Sequence, residues 1–333
     1  MQVQRLPLAA AQYQLLLHNV VDHQGRRILR KGIRLQPEHL QQLEGLGWQE
    51  VEVAILEADD IPEEEAATRL AGMLQNELID IAWGVGGRAN FHTTVSGVLH
   101  VDVQRLIAIN MLPGIALATL PPYRVVHPRF THQHQAQGQG DQVATLKIIP
   151  YAVPKRVVDE FESVASNASL FTIQPLLFHR VALLITADPS AQTRLQLQFD
   201  PPIRKRIEQL NSRLETVAFA EQNESSICAQ VETLLHGHDM LVIVGQTSIM
   251  DMDDLTLRAL RSVGVGDLLH GAPVDPGNLL AVGTFANKPV LCAPGCARSL
   301  KRNVVDLVLP RLLSGERLDR SQIAQLAPGG LLV

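Results

Sequence analysis

Apolar and polar positions divide the chain into three stretches of different texture. Within residues 15–75, the apolar runs 15–21 and 51–56 predict strands. Between them Ile28, Leu29, Ile33 and Leu35 alternate irregularly with Arg30, Lys31, Gly32 and Arg34. Pro37 opens a short helix with Leu40, Leu43 and Leu46 on one face, because proline suits a first turn. Asp59, Asp60, Ile61 and Pro62 start an acid-capped helix that runs to about residue 74. Within residues 76–154, short apolar runs at 97–103, 115–120, 123–126 and 143–149 are separated by Gly and Pro, the pattern of a small sheet or barrel. Residues 131–142 are polar and Gly/Gln-rich and read as a loop or hairpin tip. Residues 153–168 read as a connecting helix.

From residue 179 onward strands and helices alternate. Strands are expected at 181–187, 216–220, 240–245 and 289–293, and helices at 203–214, 225–235, 254–263 and 297–313. The run 240–245 is wholly apolar up to its last residue, as for a strand buried on both faces. The expected fold class is therefore α/β. A C-terminal three-layer α/β/α domain with a mostly parallel sheet, residues 179–333, follows a small α+β region (1–75), a β-rich region (76–154) and a connecting helix (155–178).

The 333 residues exceed one ordinary domain, and 46% hydrophobic with 19% charged residues describes a globular protein with ample core. A formal charge of −5 offers nothing to nucleic acid or an anionic membrane surface. No run approaches the roughly 20 apolar residues of a membrane span, and the N-terminus lacks a signal-peptide core, so a cytoplasmic protein is expected. Cys228, Cys292 and Cys296 form no disulfide framework and lack the company of a zinc site. His127, His132 and His134 have only Asp141 as a nearby carboxylate, which weighs against a metal there.

Candidate chemistry gathers at predicted strand ends, where ligands collect in such sheets. Strand 240–245 ends in Gly245, Gln246, Thr247 and Ser248, followed by Asp251, Asp253 and Asp254. The glycine and hydroxyls suit close approach of a polar ligand. The acids fit either a helix cap near Asp254 or a divalent metal or base. Strand 289–293 runs into Pro294 and Gly295 and then a predicted helix, an arrangement that offers unpaired N–H groups to an anion. Arg298 and Ser299 add a cation and a hydroxyl. Pro276 and Gly277 make a further turn. The Gly-rich stretches 84–87 and 263–266 lack dinucleotide-fingerprint spacing, and no Walker-type or nucleophile-elbow motif occurs.

The order of these loops resembles the molybdopterin-binding domain of molybdenum cofactor biosynthesis, shared by molybdopterin adenylyltransferases and molybdotransferases. That family carries Gly-Gly-x-Ser followed by acids, then Pro-Gly-Lys-Pro, then Pro-Gly-Asn-Pro-x-Ser before the last helix. The counterparts here are Gly245-Gln246-Thr247-Ser248 with Asp251 to Asp254, then Pro276-Gly277-Asn278, then Pro294-Gly295-Cys296-Ala297-Arg298-Ser299. Phe199-Asp200-Pro201 falls where the family has an Asp-Ser-Asn-like segment before its first helix. The resemblance spans about residues 180–313. Residues 274–280 and 293–299, with 144–154, are similar to an outlying branch in which this module often precedes a cytidylyltransferase-like domain. The chain has no room for that domain, so a nucleotidyltransferase is expected as a separate polypeptide.

The resemblance implies molybdopterin or molybdenum cofactor as ligand, in biosynthesis, delivery or sensing. Its phosphate would lie at the helix following Pro294-Gly295, contacted by Arg298 and Ser299, with Gly245, Thr247 and Ser248 opposite. Two other readings stay open. One is an active molybdotransferase, with Asp251 and Asp254 positioning magnesium. The other is a scaffold without ligand. Partners implied are molybdopterin and a separate nucleotidyltransferase or molybdoenzyme, with homo-oligomers as in the family. The departures Gln246, Asn278 and Cys296-Ala297 put metal insertion in question more than binding, since Asn278 removes a cation.

Overall fold

The computed structural model describes residues 1–128, 140–166 and 169–332. His132, His134 and most of the polar 131–142 stretch lie outside the described residues. The chain divides into two compact units, Met1–Ile173 and Gln174–Val333.

The first unit holds two hydrophobic cores. Leu16, Leu35, Leu43 and Val53 centre the smaller one, under a three-stranded antiparallel sheet in the order Gln2–Pro7, Glu50–Ile55, Leu15–Leu16. The larger is built on an antiparallel sheet in the order Ile115–Thr119, Gln142–Ile148, Arg88–Thr93, Ile79–Gly84. Gly86 and Gly87 turn its last hairpin at φ 70° and 63°, values that glycine adopts without strain. Two corrections follow. Lys155–Ala165, expected as a connector, instead buries Val157, Val158 and Phe161 in this core beside helix Glu63–Leu74. The expected strand 97–103 stops at Val101, because Asp102 caps a helix, Val103–Asn110, by accepting from the Arg105 N–H at 3.0 Å.

The second unit is the expected α/β domain. Its elements, numbered within the unit, are β1 (Arg180–Thr186), α1 (Pro189–Gln209), β2 (Arg213–Ala220), α2 (Glu224–Gly237), β3 (Met240–Gly245), α3 (Leu255–Val263), β4 (Gly266–His270), β5 (Ala281–Phe285), β6 (Lys288–Cys292), α4 (Val305–Leu313) and α5 (Arg320–Ala324). The sheet order is β2-β1-β3-β6-β5-β4, parallel through its first four strands and antiparallel at β5 and β4. The crossovers β1–α1–β2 and β2–α2–β3 run in opposite directions across the sheet. Right-handed connections therefore place α1 and α2 on opposite faces. Ala182, Leu184, Leu241 and Ile243 pack against α2 and α3 on one face. Gly264, at φ 97°, is the C-cap of α3, so the glycine of that stretch serves a helix end.

Both edge strands are irregular. Glu215 is an extra residue in β2 opposite Val181 and Ala182, and β4 shifts register between Gly266 and Leu269, with Asp267 at φ 52°. Helix α1 was expected only over 203–214. It begins at Pro189 and stops at Gln209, and Leu214 belongs to β2. Leu195, Phe199, Ile203 and Ile207 recur every fourth residue and bury one face of α1 straight through Pro201 and Pro202. Among the described residues no helix is long and apolar enough to cross a membrane.

Candidate functional site

Strands β1 and β3 are neighbours, yet the chain leaves β1 toward β2 on one side and leaves β3 toward β4, beyond β6 and β5, on the other. The carboxyl ends of β1 and β3 are thus the topological switch point, where a crevice opens in a sheet of this kind. Thr186 ends β1, Gly245 ends β3 and Cys292 ends β6. A narrow cleft of about 20 Å³ lies there, room for about one water-sized group. Gly245, Thr247 and Ser248 from one candidate loop and Pro294 and Gly295 from another line it together.

Local chemistry explains the convergence. At Gly245 an added Cβ would stand 2.6 Å from the Thr247 carbonyl oxygen and 3.1 Å from Thr186 Oγ1, so only glycine lets the loop fold back at that point. Gln246, where the resembled family has its second glycine, ties the two strand ends. Its N–H donates to the Thr186 carbonyl at 2.9 Å, and its side chain accepts from the Asp188 N–H at 3.1 Å and donates to Asp188 Oδ2 at 3.2 Å. Ser248 Oγ lies 3.8 Å from the position of a Cβ on Gly295, which brings the β3 and β6 loops edge to edge. The thiol of Cys292 is wholly buried beneath them, and burial pushes it up to about 12, so it stays protonated and inert.

The other predicted residues lie elsewhere. From the middle loop the cleft receives Leu279 rather than Pro276, Gly277 or Asn278. Pro276 follows a cis peptide bond, and its carbonyl accepts from the Val304 N–H at 3.1 Å. Asp254 is the N-cap of α3, accepting from the Thr256 N–H at 2.9 Å, and Asp251 accepts from the Asp253 N–H at 2.8 Å. Asp254 thus caps the helix, and Asp251 closes a local turn. Asp254→Ala is accordingly expected to lower stability by about 1 kcal/mol while Asp254→Asn does not. Chemical denaturation of the two variants checks this, and equal losses would contradict it.

The predicted helix 297–313 requires a larger correction. Gly295–Arg298 is a single 3₁₀ turn, the chain then loops, and α4 starts only at Val305. The N-terminus of α4 is already occupied by the protein's own groups. Asn303 Oδ1 accepts from the Val305 N–H at 3.0 Å, and Asp306 Oδ2 accepts from the Asn303 N–H at 2.8 Å. The anion that the helix attracts is therefore Asp306. Likewise Phe199-Asp200-Pro201 lies inside α1, and the segment that precedes the first helix is Ala187-Asp188, with Pro189 opening the helix. The Asp188-Pro189 pair, a proline opening a helix after a strand, was the legible signal for it.

Arg206, on α1, is the residue that sequence reasoning missed. It is 5% exposed and fans into the loop after Gly295. Its Nε donates to Asp306 Oδ1 at 2.8 Å, and its Nη2 donates to the Ser299 and Lys301 carbonyls at 2.8 and 3.1 Å and to Asp306 Oδ2 at 3.1 Å. Its Nη1 reaches the Ala297 carbonyl at 3.3 Å. By contrast Arg298 is exposed, with its Nε donating to the Gly295 carbonyl at 2.7 Å and its guanidinium 5.6 Å from the Phe199 ring centroid. Cys296 and Ser299 sit in this loop, outside the cleft lining, and burial raises the Cys296 thiol. Among the described residues no group of three or more His, Cys, Asp or Glu is placed to hold a metal ion.

No family model and no curated protein matches the chain. Among solved structures, it is similar to the molybdopterin biosynthesis enzyme MoaB of Thermus thermophilus, at 17% identity and TM-score 0.33, over 41% of this chain and 98% of that one. The molybdopterin biosynthesis MoeA protein of Pyrococcus horikoshii matches over 97% of this chain and 77% of its own, at 14% identity and TM-score 0.31. CinA of Thermoplasma acidophilum, a protein of unknown function, matches over 36% and 91%, at 11% identity and TM-score 0.31. Likeness this distant assigns no family.

Proposed function

We propose that the second unit binds molybdopterin or the molybdenum cofactor at the switch-point cleft, in biosynthesis, delivery or sensing. The observation that carries this reading is the meeting of Gly245, Thr247 and Ser248 with Pro294 and Gly295 at the carboxyl ends of β1, β3 and β6. Those loops are the ones whose order resembles the molybdopterin-binding family. The cleft is narrow, so a pterin would insert one edge and lie across its mouth. Hydroxyls of Thr186, Thr247 and Ser248 suit the donor and acceptor pattern of such a ring. Handing the cofactor to a separate nucleotidyltransferase or molybdoenzyme belongs to the same proposal.

A molybdotransferase reading draws no support from the acids, because Asp251 and Asp254 are engaged with local backbone N–H groups. Calorimetric titration with molybdopterin tests the binding reading. A dissociation constant on the order of 1 μM or tighter is expected, equivalent to about 8 kcal/mol. Absence of binding at about a hundred times that concentration would sink it.

A further inference from the structure

Resting on the pterin reading above, we propose that a groove beside Gly295 is the anion subsite. There Arg298 and Lys205 take the phosphate ester of the ligand, while the strand-end cleft takes an uncharged ring edge. The expected alternative, the N-terminus of α4, is filled by Asp306 and Asn303. A phosphate there would meet a carboxylate already held by Arg206.

The cleft itself is unsuited to a dianion. No charged side chain lines it, and its lining offers hydroxyls and apolar groups. Desolvating a phosphate without a cation is costly. The groove has the opposite character. It holds about 590 Å³, is lined by both Arg298 and Lys205, and has no carboxylate among its lining residues.

The two sites share no lining residue but come close where Arg298 meets Gly295. Arg298 Nη2 stands 2.9 Å from the position of a Cβ on Gly295, and Gly295 lines the cleft. Through Nε the Arg298 guanidinium is anchored to the Gly295 carbonyl, and through its face to Phe199. Its terminal nitrogens, and the Lys205 ammonium, have no carboxylate partner among the described residues. A guanidinium anchored at Nε, with an exposed ammonium lining the same groove, suits a phosphate. Leu197 and Leu300, 74% and 60% exposed, floor the groove and would carry the organic part of the ester.

Titration with inorganic phosphate, followed by amide NMR shifts on the whole chain, tests the subsite without the pterin. Shifts are expected at residues 197–205 and 298–300, and Lys205→Ala or Arg298→Ala should each weaken phosphate binding about tenfold. Both side chains are exposed, and an otherwise unchanged spectrum shows that each variant still folds. Shifts confined to residues 245–248 and 294–295, unaltered affinity in both variants, or no phosphate response would overturn the proposal. Molybdopterin titration of the unaltered chain is scored separately. Binding that ignores both substitutions sinks the subsite alone, and phosphate in the groove without molybdopterin binding sinks the cofactor reading alone.

Discussion

Arg206→Ala is expected to destabilise the second unit by about 2–3 kcal/mol, below the range for a fully buried ion pair because Asp306 keeps 29% of its side chain exposed. The loss follows from what is stranded. Asp306 keeps the Asn303 N–H but loses both guanidinium donors, and the Ser299 and Lys301 carbonyls lose theirs. Asp306 is only partly exposed, so water replaces the lost donors incompletely. Melting should fall on the order of 10 °C for a unit of this size. Arg206→Lys keeps the charge without the planar fork and should recover only part of the loss. Denaturant titration of both variants decides. A loss under about 1 kcal/mol for the alanine variant would mean that the loop after Gly295 holds its place without Arg206.

Gly277→Ala should cost about 2–4 kcal/mol, combining overpacking with an unfavourable backbone angle. Gly277 is at φ 130°, and an alanine Cβ would stand 2.3 Å from Val304 Cγ1 and 2.5 Å from Val304 Cβ. Val304 is fully buried and cannot swing away. Its N–H also donates to the Pro276 carbonyl, so any retreat breaks a hydrogen bond at the start of α4. Measured stability equal to that of the unaltered chain would show that the turn and Val304 separate at little cost. The glycine of this turn is needed for packing, whether or not a ligand binds.

The parts of the fold legible in the sequence were those announced by continuous apolar runs. The run 240–245 became β3, and 289–293 became β6 shifted by one residue toward the N-terminus. Strand–helix alternation also pointed to the carboxyl ends of the strands, but the switch point between β1 and β3 needed the strand order. Helix α1 was half hidden. Its polar stretch and the Pro201-Pro202 pair mask a buried stripe spaced by four, and local pattern gives such a proline pair no helical credit. Helix 297–313 was overextended for the converse reason. Ala297, Leu300 and Val304 suit a helical face, but the loop is held open by Arg206 from another helix, which no local window contains. The cleft was legible as two loops and the groove was not, since Lys205 and Arg298 lie 93 positions apart and meet only through α1 packing.

The two irregular edges of the second-unit sheet bear on how copies of the chain can associate. Continuing a sheet across a subunit boundary needs a flat strand with evenly spaced free N–H and C=O groups. In β2 the exposed Glu215 interrupts that spacing and carries charge. In β4 the exposed Asp267 does both, with its backbone turned to positive φ. Each border thus carries a kink and an acid, a pairing that resists strand addition. A homo-oligomer built through this unit is therefore expected to use its helices and loops rather than its sheet edges.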